Sequence, residues 1–340
     1  MKTQNQILVS PLVSALILAP MDGITDAPMR AVQGETGAFT FAVSEFLRVS
    51  IEAIPRKVFY RDVPELCTGG MTPTGLPVQV QLLGGDPERM AISALTACRA
   101  GAKGIDLNFG CPAPTVNRHD GGASLLRHPQ RIREIIAAVR EAVPFEIPVS
   151  AKMRLGWDSI EAIHENADMA QEGGASWLTI HARTRVQGYQ PPVYWKPIGE
   201  VRERLTIPVV ANGDIWTLED FLRCREMTGC RHFMIGRSAL ANPALPHRIA
   251  HELGIGKNEQ GNEKAETAFD WVLLLSRLVE YTRFYEDKVP MHTVRRLKQW
   301  LKLAANHGGF TRFDEVKRLE TVEELFACLS ALENDNSGKD

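Results

Sequence analysis

Short apolar runs alternate with amphipathic stretches along most of the chain. Most runs are rich in Val, Ile and Leu and lack strict apolar–polar alternation, which indicates strands buried on both faces. Stretches such as 87–101 and 130–143 repeat their apolar residues at helical spacing and predict the helices between the strands. The runs are ALILAPM (15–21), FAVSEF (41–46), PVQVQLL (77–83), GIDLNFG (104–110), IPVSAKMR (147–154), WLTIHAR (177–183), IPVVANG (207–213) and HFMIGRS (232–238).

This alternation predicts an α/β fold, and the number of strands is that of a (β/α)₈ TIM barrel. An open doubly wound sheet is the rival. It is disfavoured because no GxGxxG follows a strand and no GxxxxGK[ST] is present. The first apolar run could be taken for a signal peptide, but it lacks a small-residue cleavage site and continues directly into APMDGITD, so we expect a first strand. No run reaches the ~20 apolar residues needed to span a bilayer.

The pattern changes after residue 253. The polar, Gly-rich segment 254–268 predicts a linker between a catalytic barrel domain, 1–253, and a small C-terminal helical domain, 269–340. From Lys288 to Arg312 the second domain contains no acidic residue, which is typical of either a solvated helix face or a surface that binds a polyanion.

Composition narrows the class of protein. The chain has 340 residues and a formal net charge of −2, so any binding of nucleic acid must come from a local basic patch. Its six cysteines are scattered, without a CxxC pair or histidines at zinc spacing. This predicts reduced thiols in a cytoplasmic protein and no metal site.

Polar residues stand at nearly every strand end, where a (β/α)₈ barrel builds its active site. Gly213 and Gly236, at the ends of the last two strands, let backbone N–H groups approach an anion closely, and Arg237 adds a bidentate donor. A phosphate-bearing cofactor is therefore expected. The strand-end residues are Ala19, Pro20, Met21, Glu45, Gln81, Asn108, Cys111, Lys152, Arg154, His181, Arg183, Asn212, Gly213, Asp214, Gly236 and Arg237.

Lys152, Gln81 and His181 form a set of donors suited to a planar heterocycle with carbonyl oxygens, which indicates flavin mononucleotide (FMN). Several of the strand-end residues also have a structural interpretation. Gln81 and Asn108 could satisfy buried backbone groups, and His181 could be a core histidine. Cys111 leaves its strand between Gly110 and Pro112, so it is either a functional thiol that faces the cofactor or a chance loop cysteine.

These residues lie in motifs that identify a family. The chain resembles the tRNA-dihydrouridine synthases over essentially its whole length. The matching motifs are APMDGITDAPMR (19–30), QLLGGDP (81–87), DLNFGCP (106–112), GGASLL (121–126), KMRLGWD (152–158), IHARTR (180–185), ANGDI (211–215) and IGRSAL (235–240). Four further segments are most similar to the bacterial C subfamily, which modifies D-loop position 16: EFLRVS (45–50), KVFYRDVPEL (57–66), RLGWD (154–158) and RRLKQWL (295–301).

The resemblance implies an NADPH-dependent reduction of uridine in tRNA. NADPH reduces bound FMN, the flavin delivers hydride to C6 of an extruded uracil, and Cys111 protonates C5. The residues implied to hold FMN are Ala19, Pro20, Met21, Gln81, Lys152, His181, Asn212, Gly213, Asp214, Gly236 and Arg237. Those implied to contact tRNA are Arg48, Asn108, Arg154, Arg296 and Lys298.

One departure from the family pattern lies in the cysteine loop, where Pro114 occupies a position that is commonly basic. Three alternatives remain open at this stage. The enzyme could act at another D-loop position, it could be a Schiff-base lyase that uses Lys152 as its nucleophile, or it could be a non-catalytic tRNA-binding protein. A monomer is the default expectation.

Overall fold

The chain forms a closed barrel of eight parallel strands in sequence order, with β8 pairing back onto β1. A computed structural model describes residues 9–10, 12–118, 121–255, 270–286, 289 and 292–331. The strands are β1 (Ala15–Leu18), β2 (Phe41–Arg48), β3 (Val78–Leu83), β4 (Ile105–Phe109), β5 (Val149–Arg154), β6 (Leu178–His181), β7 (Val209–Asn212) and β8 (His232–Ile235). The predicted TIM barrel is confirmed, and each strand lies within a predicted run except β2, which extends two residues further.

Helices follow the strands around the outside of the barrel, and a helical tail follows the barrel. The helices described are α1 (Ala27–Gly34), α2 (Arg56–Asp62), α3 (Pro87–Arg99), α4 (Pro114–Asn117), α5 (Pro129–Ala142), α6 (Ala162–Glu172), α7 (Lys196–Arg204), α8 (Leu218–Thr228), α9 (Arg237–Ala241), α10 (Leu245–Glu252), α11 (Trp271–Tyr285), α12 (Thr293–His307), α13 (Phe313–Val316) and α14 (Val322–Ala331). The last four form the tail, as the helical patterns predict.

Local sequence explains where several helices begin. Asp86 accepts a hydrogen bond from the backbone N of Arg89, and Pro87 occupies the first turn of α3, where its missing N–H costs nothing. At α8, Thr217 and Asp220 form a reciprocal capping box. These caps fix the first residues of α3 and α8, directly after the loops that leave β3 and β7.

The hydrophobic core lies mainly between the strands and the surrounding helices. A smaller cluster fills the inside of the barrel, where Trp177 is 1% exposed and its ring lies 6.0 Å from that of Phe41. The barrel interior is therefore a packed core and not a channel, so chemistry is confined to the strand ends.

The helical tail packs directly against the barrel, with α11 on α1 and α12 on α9. The Trp300 indole donates a hydrogen bond to the backbone O of Leu240, 2.8 Å away. Gly308 lies so close to α9 that a Cβ placed on it would be 1.6 Å from the backbone O of Ala241. The predicted linker lies outside the described residues from position 256 onward, so the domain limits stay a prediction.

Among the residues that the structure describes, no helix is long and apolar enough to cross a membrane.

Candidate active site

A pocket opens at the carboxyl ends of the strands, between β5, β6, β7, β8 and the segment after β1. We call it the cofactor pocket. All predicted cofactor ligands except Gln81 line it: Ala19, Pro20, Met21, Lys152, His181, Asn212, Gly213, Asp214, Gly236 and Arg237. Their convergence follows from their positions at the strand ends.

One wall of the pocket presents a lysine and a histidine on neighbouring strands. Lys152 Nζ donates to Asn212 Oδ1 at 3.1 Å, and Asn212 Nδ2 donates to the backbone O of Met234 at 2.8 Å. Burial, aided by nearby Arg154, lowers the pKa of Lys152. Burial and the adjacent cations hold the pKa of His181 well below its ordinary value, so the ring is neutral near pH 7. The buried Nδ1 of His181 has no partner among the described residues.

The other end of the pocket is suited to an anion. A Cβ on Gly236 would lie 3.0 Å from Met21 Sδ, and Gly213 has a φ of +120°, so both positions expose bare backbone. Arg237 lies beside them and donates to Asp214 Oδ1 at 3.1 Å. Burial would raise the pKa of Asp214, but Arg183 and Arg237 lower it overall, so the carboxylate stays ionised.

These features fit FMN. A glycine-lined backbone and a guanidinium suit its phosphate, while a lysine and an unpartnered imidazole nitrogen suit the heteroatoms of its ring.

Gln81 instead belongs to a buried hydrogen-bond network, which we call the Asp106 network. Gln81 Nε2 donates to Asp106 Oδ2 at 2.7 Å, and Ser150 Oγ donates to Asp106 Oδ1 at 2.6 Å. Gln81 Oε1 accepts a 2.8 Å hydrogen bond from Asn108 Nδ2. Burial raises the pKa of Asp106 although Ser150 and Gln81 stabilise its charged form. Gln81 is therefore not on the pocket wall, and its amide serves the barrel interior.

The Asp106 network ends at the cysteine loop. Asn108 Oδ1 accepts hydrogen bonds from the backbone N–H groups of Gly110 and Cys111, each at 2.9 Å. This use of its side-chain oxygen differs from the predicted contact with uridine. Asn108 pairs in register with Lys152 on β5, so the loop that carries the thiol starts beside the pocket lysine.

Cys111 is partly exposed, and its thiol keeps its proton. Burial raises the pKa of Cys111 and Asp22 adds to the effect, while Arg154 and Arg48 oppose it. The backbone around the thiol is tightly packed, because a Cβ on Gly122 would lie 2.9 Å from the backbone O of Cys111. Such a thiol suits proton donation better than nucleophilic attack, which requires the thiolate.

Arg154 is 3% exposed and holds two loops together. Its Nε donates to the backbone O of Gly110 at 2.9 Å, and its Nη1 donates to the carbonyls of Thr184 and Gly188 at 3.1 and 2.7 Å. The contact of Arg154 with tRNA stays a prediction. In the structure its guanidinium is buried and hydrogen-bonded to the backbone of the cysteine loop, which it positions.

The other predicted tRNA contacts differ in exposure. Arg48 is exposed at the barrel mouth, where its Nη2 donates to the backbone O of Thr115 at 3.2 Å. Arg296 forms an ion pair with Asp26, and Lys298 Nζ donates to the backbone O of Leu319 at 2.8 Å. The last two therefore fix the tail, while the freely exposed cations of α12 are Arg295 and Lys302.

Sequence reasoning missed two aromatic residues that line the cofactor pocket, Tyr189 and Trp216. Tyr189 is 55% exposed and lies between guanidinium groups, 4.7 Å from Arg237 and 5.2 Å from Arg154. Trp216 stacks on His307 of α12 at 4.2 Å. Both follow strand ends in irregular loops, where periodicity gives no signal. Only their place after β6 and β7 could have suggested them.

The closed barrel and the convergence of polar groups at its strand ends define an enzyme of the (β/α)₈ class. Solved structures share this fold. Histamine dehydrogenase from Rhizobium sp. 4-9 matches with a TM-score of 0.54 and 14% identity over 78% of this chain and 49% of that one. A 2-naphthoyl-CoA reductase complex matches with a TM-score of 0.53 and 10% identity over 70% and 50%. At these identities the likeness concerns the fold alone.

Sequence comparison gives the family. The sequence model of the family described as dihydrouridine synthase (Dus) matches residues 17–333, so the chain belongs to the dihydrouridine synthase family. Proteins named tRNA-dihydrouridine(16) synthase are 43% identical in Shewanella oneidensis, over 92% of this chain and 96% of the relative, and 41% identical in Haemophilus influenzae, over 91% and 97%. The family resemblance in the motifs is confirmed, and with it the prediction of an enzyme that makes dihydrouridine.

Proposed function

We propose that this enzyme uses FMN and NADPH to reduce uridine 16 in the D-loop of tRNA, as a cytoplasmic monomer of the C subfamily. The observation that carries the proposal is geometric. The residues predicted for FMN, except Gln81, converge on one pocket, and the cysteine loop starts next to it because Asn108 pairs in register with Lys152. Family membership gives no support to the Schiff-base lyase or to the non-catalytic binding protein.

Lys152 and His181 would bind the ring of FMN, and Gly213, Gly236 and Arg237 would bind its phosphate. When bound, the flavin supplies hydride to C6 of the uracil. A cation at Lys152 favours the reduced, negatively charged ring, and the neutral His181 can donate or accept a hydrogen bond without adding charge. Tyr189 at the pocket mouth offers a partly exposed aromatic side chain that an extruded base could contact.

Cys111 completes the reduction by giving its proton to C5. The raised pKa keeps the thiol protonated at neutral pH, and the hydrogen bonds of Asn108 and Arg154 to the loop backbone fix its direction. Extruding a base costs a few kcal/mol and costs least in an unpaired loop, which suits a D-loop target.

Position 16 is supported by the names of the relatives and by the C-subfamily segments, which include Arg48 at the mouth. The test is to incubate the purified protein with NADPH and tRNA from cells lacking all dihydrouridine synthases, then map dihydrouridine at single-nucleotide resolution. We expect reduction at position 16 alone. Reduction at 17 or 20 would overturn the assigned position, and no reduction by a visibly yellow protein would overturn the substrate.

A further inference from the structure

A second cavity, of about 180 Å³, lies between the barrel mouth and the tail. We call it the junction cavity. Its floor is apolar: Met29 from α1, Leu240 from α9 and Trp300 from α12 are all buried. Arg237 lies in the wall of both this cavity and the cofactor pocket, so the two are neighbours.

The rim of the junction cavity is polar and unengaged. Gln299, Lys302 and Asn306 are exposed and spaced by three and four residues, so they share one face of α12. Within the described part of the chain, the side chains of these three residues form no hydrogen bond or ion pair with another residue. The side chains of Gln299 and Asn306 each end in a planar primary amide. Each amide has a donor and an acceptor side by side, which can pair with the edge of a nucleobase.

The charge of the junction cavity favours an anion. Arg296 Nη2 pairs with Asp26, but the buried Nη1 of Arg296 has no partner among the described residues. Lys302 adds a second cation at the opening, whereas Arg237 in the shared wall is paired with Asp214. A buried guanidinium N–H without an acceptor is costly, so the cavity is arranged for a group that supplies one.

From this geometry we propose that the junction cavity binds the base of the tRNA nucleotide that flanks the target uridine, with the adjoining phosphate at Lys302. The proposal rests on the proposed function. When the target uridine is extruded, the base of the flanking nucleotide loses its stacking contact with it. The apolar floor and amide rim of the junction cavity would replace that contact. A cavity of about 180 Å³ holds one ring system, whereas ligands of drug size or larger fill roughly 300–1,000 Å³. A whole dinucleotide such as NADPH therefore fits less well.

Two variants test separately whether the shape of the junction cavity and the charge at its opening contribute to tRNA binding. Asn306→Trp fills the cavity without changing charge, and Lys302→Gln removes the cation at the opening. Arg99→Gln is the matched control for charge, because Arg99 is exposed at the C-terminal end of α3, on the face opposite the strand ends. Binding is measured by fluorescence anisotropy without turnover, using whole tRNA and tRNA with an abasic nucleotide on either side of the target.

We expect one abasic site to weaken binding to the wild-type enzyme about tenfold and to leave binding to Asn306→Trp unchanged, because the variant has already lost that contact. Lys302→Gln should lower the slope of log affinity against log salt by about 1, and Arg99→Gln should not. Reduction of the flavin by NADPH without tRNA should keep its wild-type rate in all variants.

Additive losses from the abasic site and Asn306→Trp would overturn the proposal. A slower flavin reduction by NADPH, with tRNA affinity intact, would overturn it in favour of a dinucleotide. Both results leave uridine reduction by the wild-type enzyme in place, so they are distinct from a failure of the proposed function, in which the wild-type enzyme reduces no tRNA.

Discussion

Cys111 and Glu45 show how single residues at the barrel mouth are tuned by their surroundings. Cys111 has its backbone N–H bonded to Asn108, and Glu45 accepts a 3.0 Å hydrogen bond from the backbone N of Ile24. Burial raises the pKa of both side chains. Each side chain therefore stays protonated to a higher pH than the same group would in an exposed position.

Replacing Cys111 by Ser should abolish most uridine reduction while FMN stays bound. A hydroxyl is a far weaker acid than a thiol, and general acid catalysis contributes about 10²–10⁴-fold. Flavin content is measured by absorbance, and turnover by single-turnover reduction of tRNA. Reduction of the flavin by NADPH serves as the internal control and should be unchanged. Uridine reduction at the wild-type rate would exclude Cys111 as the proton donor.

Glu45→Gln should change how stability depends on pH. Burial raises the pKa of Glu45 from 4.5 to about 7, with Asp26 adding to the effect. Between these values the folded chain holds a proton that the unfolded chain releases, so the free energy of unfolding falls as pH rises through the window. Gln keeps an acceptor for Ile24 and does not ionise. From pH 5 to 8 the wild-type protein should lose about 2 kcal/mol relative to the variant in urea titrations. Parallel curves would contradict this.

The placement of individual side chains was only partly predictable from sequence. Lys152, Asn212 and Arg237 line the cofactor pocket because they stand at strand ends in a fold whose topology fixes those ends. Gln81 also stands on such a strand, but its side chain faces Asp106. Whether a strand-end residue faces a pocket or an interior network depends on contacts with other strands, which one strand's sequence does not contain.

At the scale of elements, the cysteine loop and the loops after β5 and β6 form one unit. Arg154 joins the carbonyl of Gly110 to those of Thr184 and Gly188. The backbone N–H groups of Arg185 and Val186 donate to the carbonyls of Gly156 and Trp157, both at 2.9 Å. The side of the active site opposite the tail is thus preorganised before substrate arrives.

Arg154→Lys should lower uridine reduction without loss of FMN. Lysine keeps the charge but lacks the fork that reaches three carbonyls, so the cysteine loop loses its fixed position. Misplacing a reacting group by about 1 Å can cost roughly 10²-fold in rate. Single-turnover rates and flavin content are compared with those of Arg131→Lys, an exposed change on α5. An unchanged rate in Arg154→Lys would assign this residue a role in stability alone.

Helix α12 shows what periodicity predicts and what it leaves open. Leu297, Trp300, Leu301 and Ala304 are buried, as the amphipathic pattern requires. Arg296 lies next to this buried face, so a closer use of the 3.6-residue period would have placed it at the junction. The bond from Lys298 to Leu319 joins α12 to a segment distant in sequence, and no local pattern encodes it.

For the molecule as a whole, the position of the tail is fixed by several independent contacts. Arg277 and Tyr281 of α11 bond Glu35, which directly follows α1, Trp300 bonds Leu240, and Arg296 pairs with Asp26. Barrel and tail therefore form one surface around the mouth. The eight-strand count and the helical patterns predicted both parts, but their arrangement is fixed by contacts between residues 60 to 270 positions apart in the sequence.

Gly308→Ala should displace the tail. A Cβ there would lie 1.6 Å from the backbone O of Ala241, and a backbone atom cannot turn aside as a side chain can. Gly309→Ala is the matched control, since it meets no atom within 4 Å and its φ of +83° costs only about 1 kcal/mol. We expect Gly308→Ala to lose tRNA affinity and to expose the tail to protease while FMN binding remains. Equal behaviour of the two variants would show that this contact does not set the tail.

The contact of Gly308 with Ala241 fixes the distance between the tail and the strand ends. Backbone contacts backbone at this point. Substitutions that change side-chain size elsewhere therefore do not gradually change the distance from α12 to the strand ends. A related enzyme that evolved to select another nucleotide would have to shift α12, either by altering this contact or by changing the length of the helix. Exchanging charges on the surface would change how tightly tRNA is held, but not which nucleotide reaches the flavin.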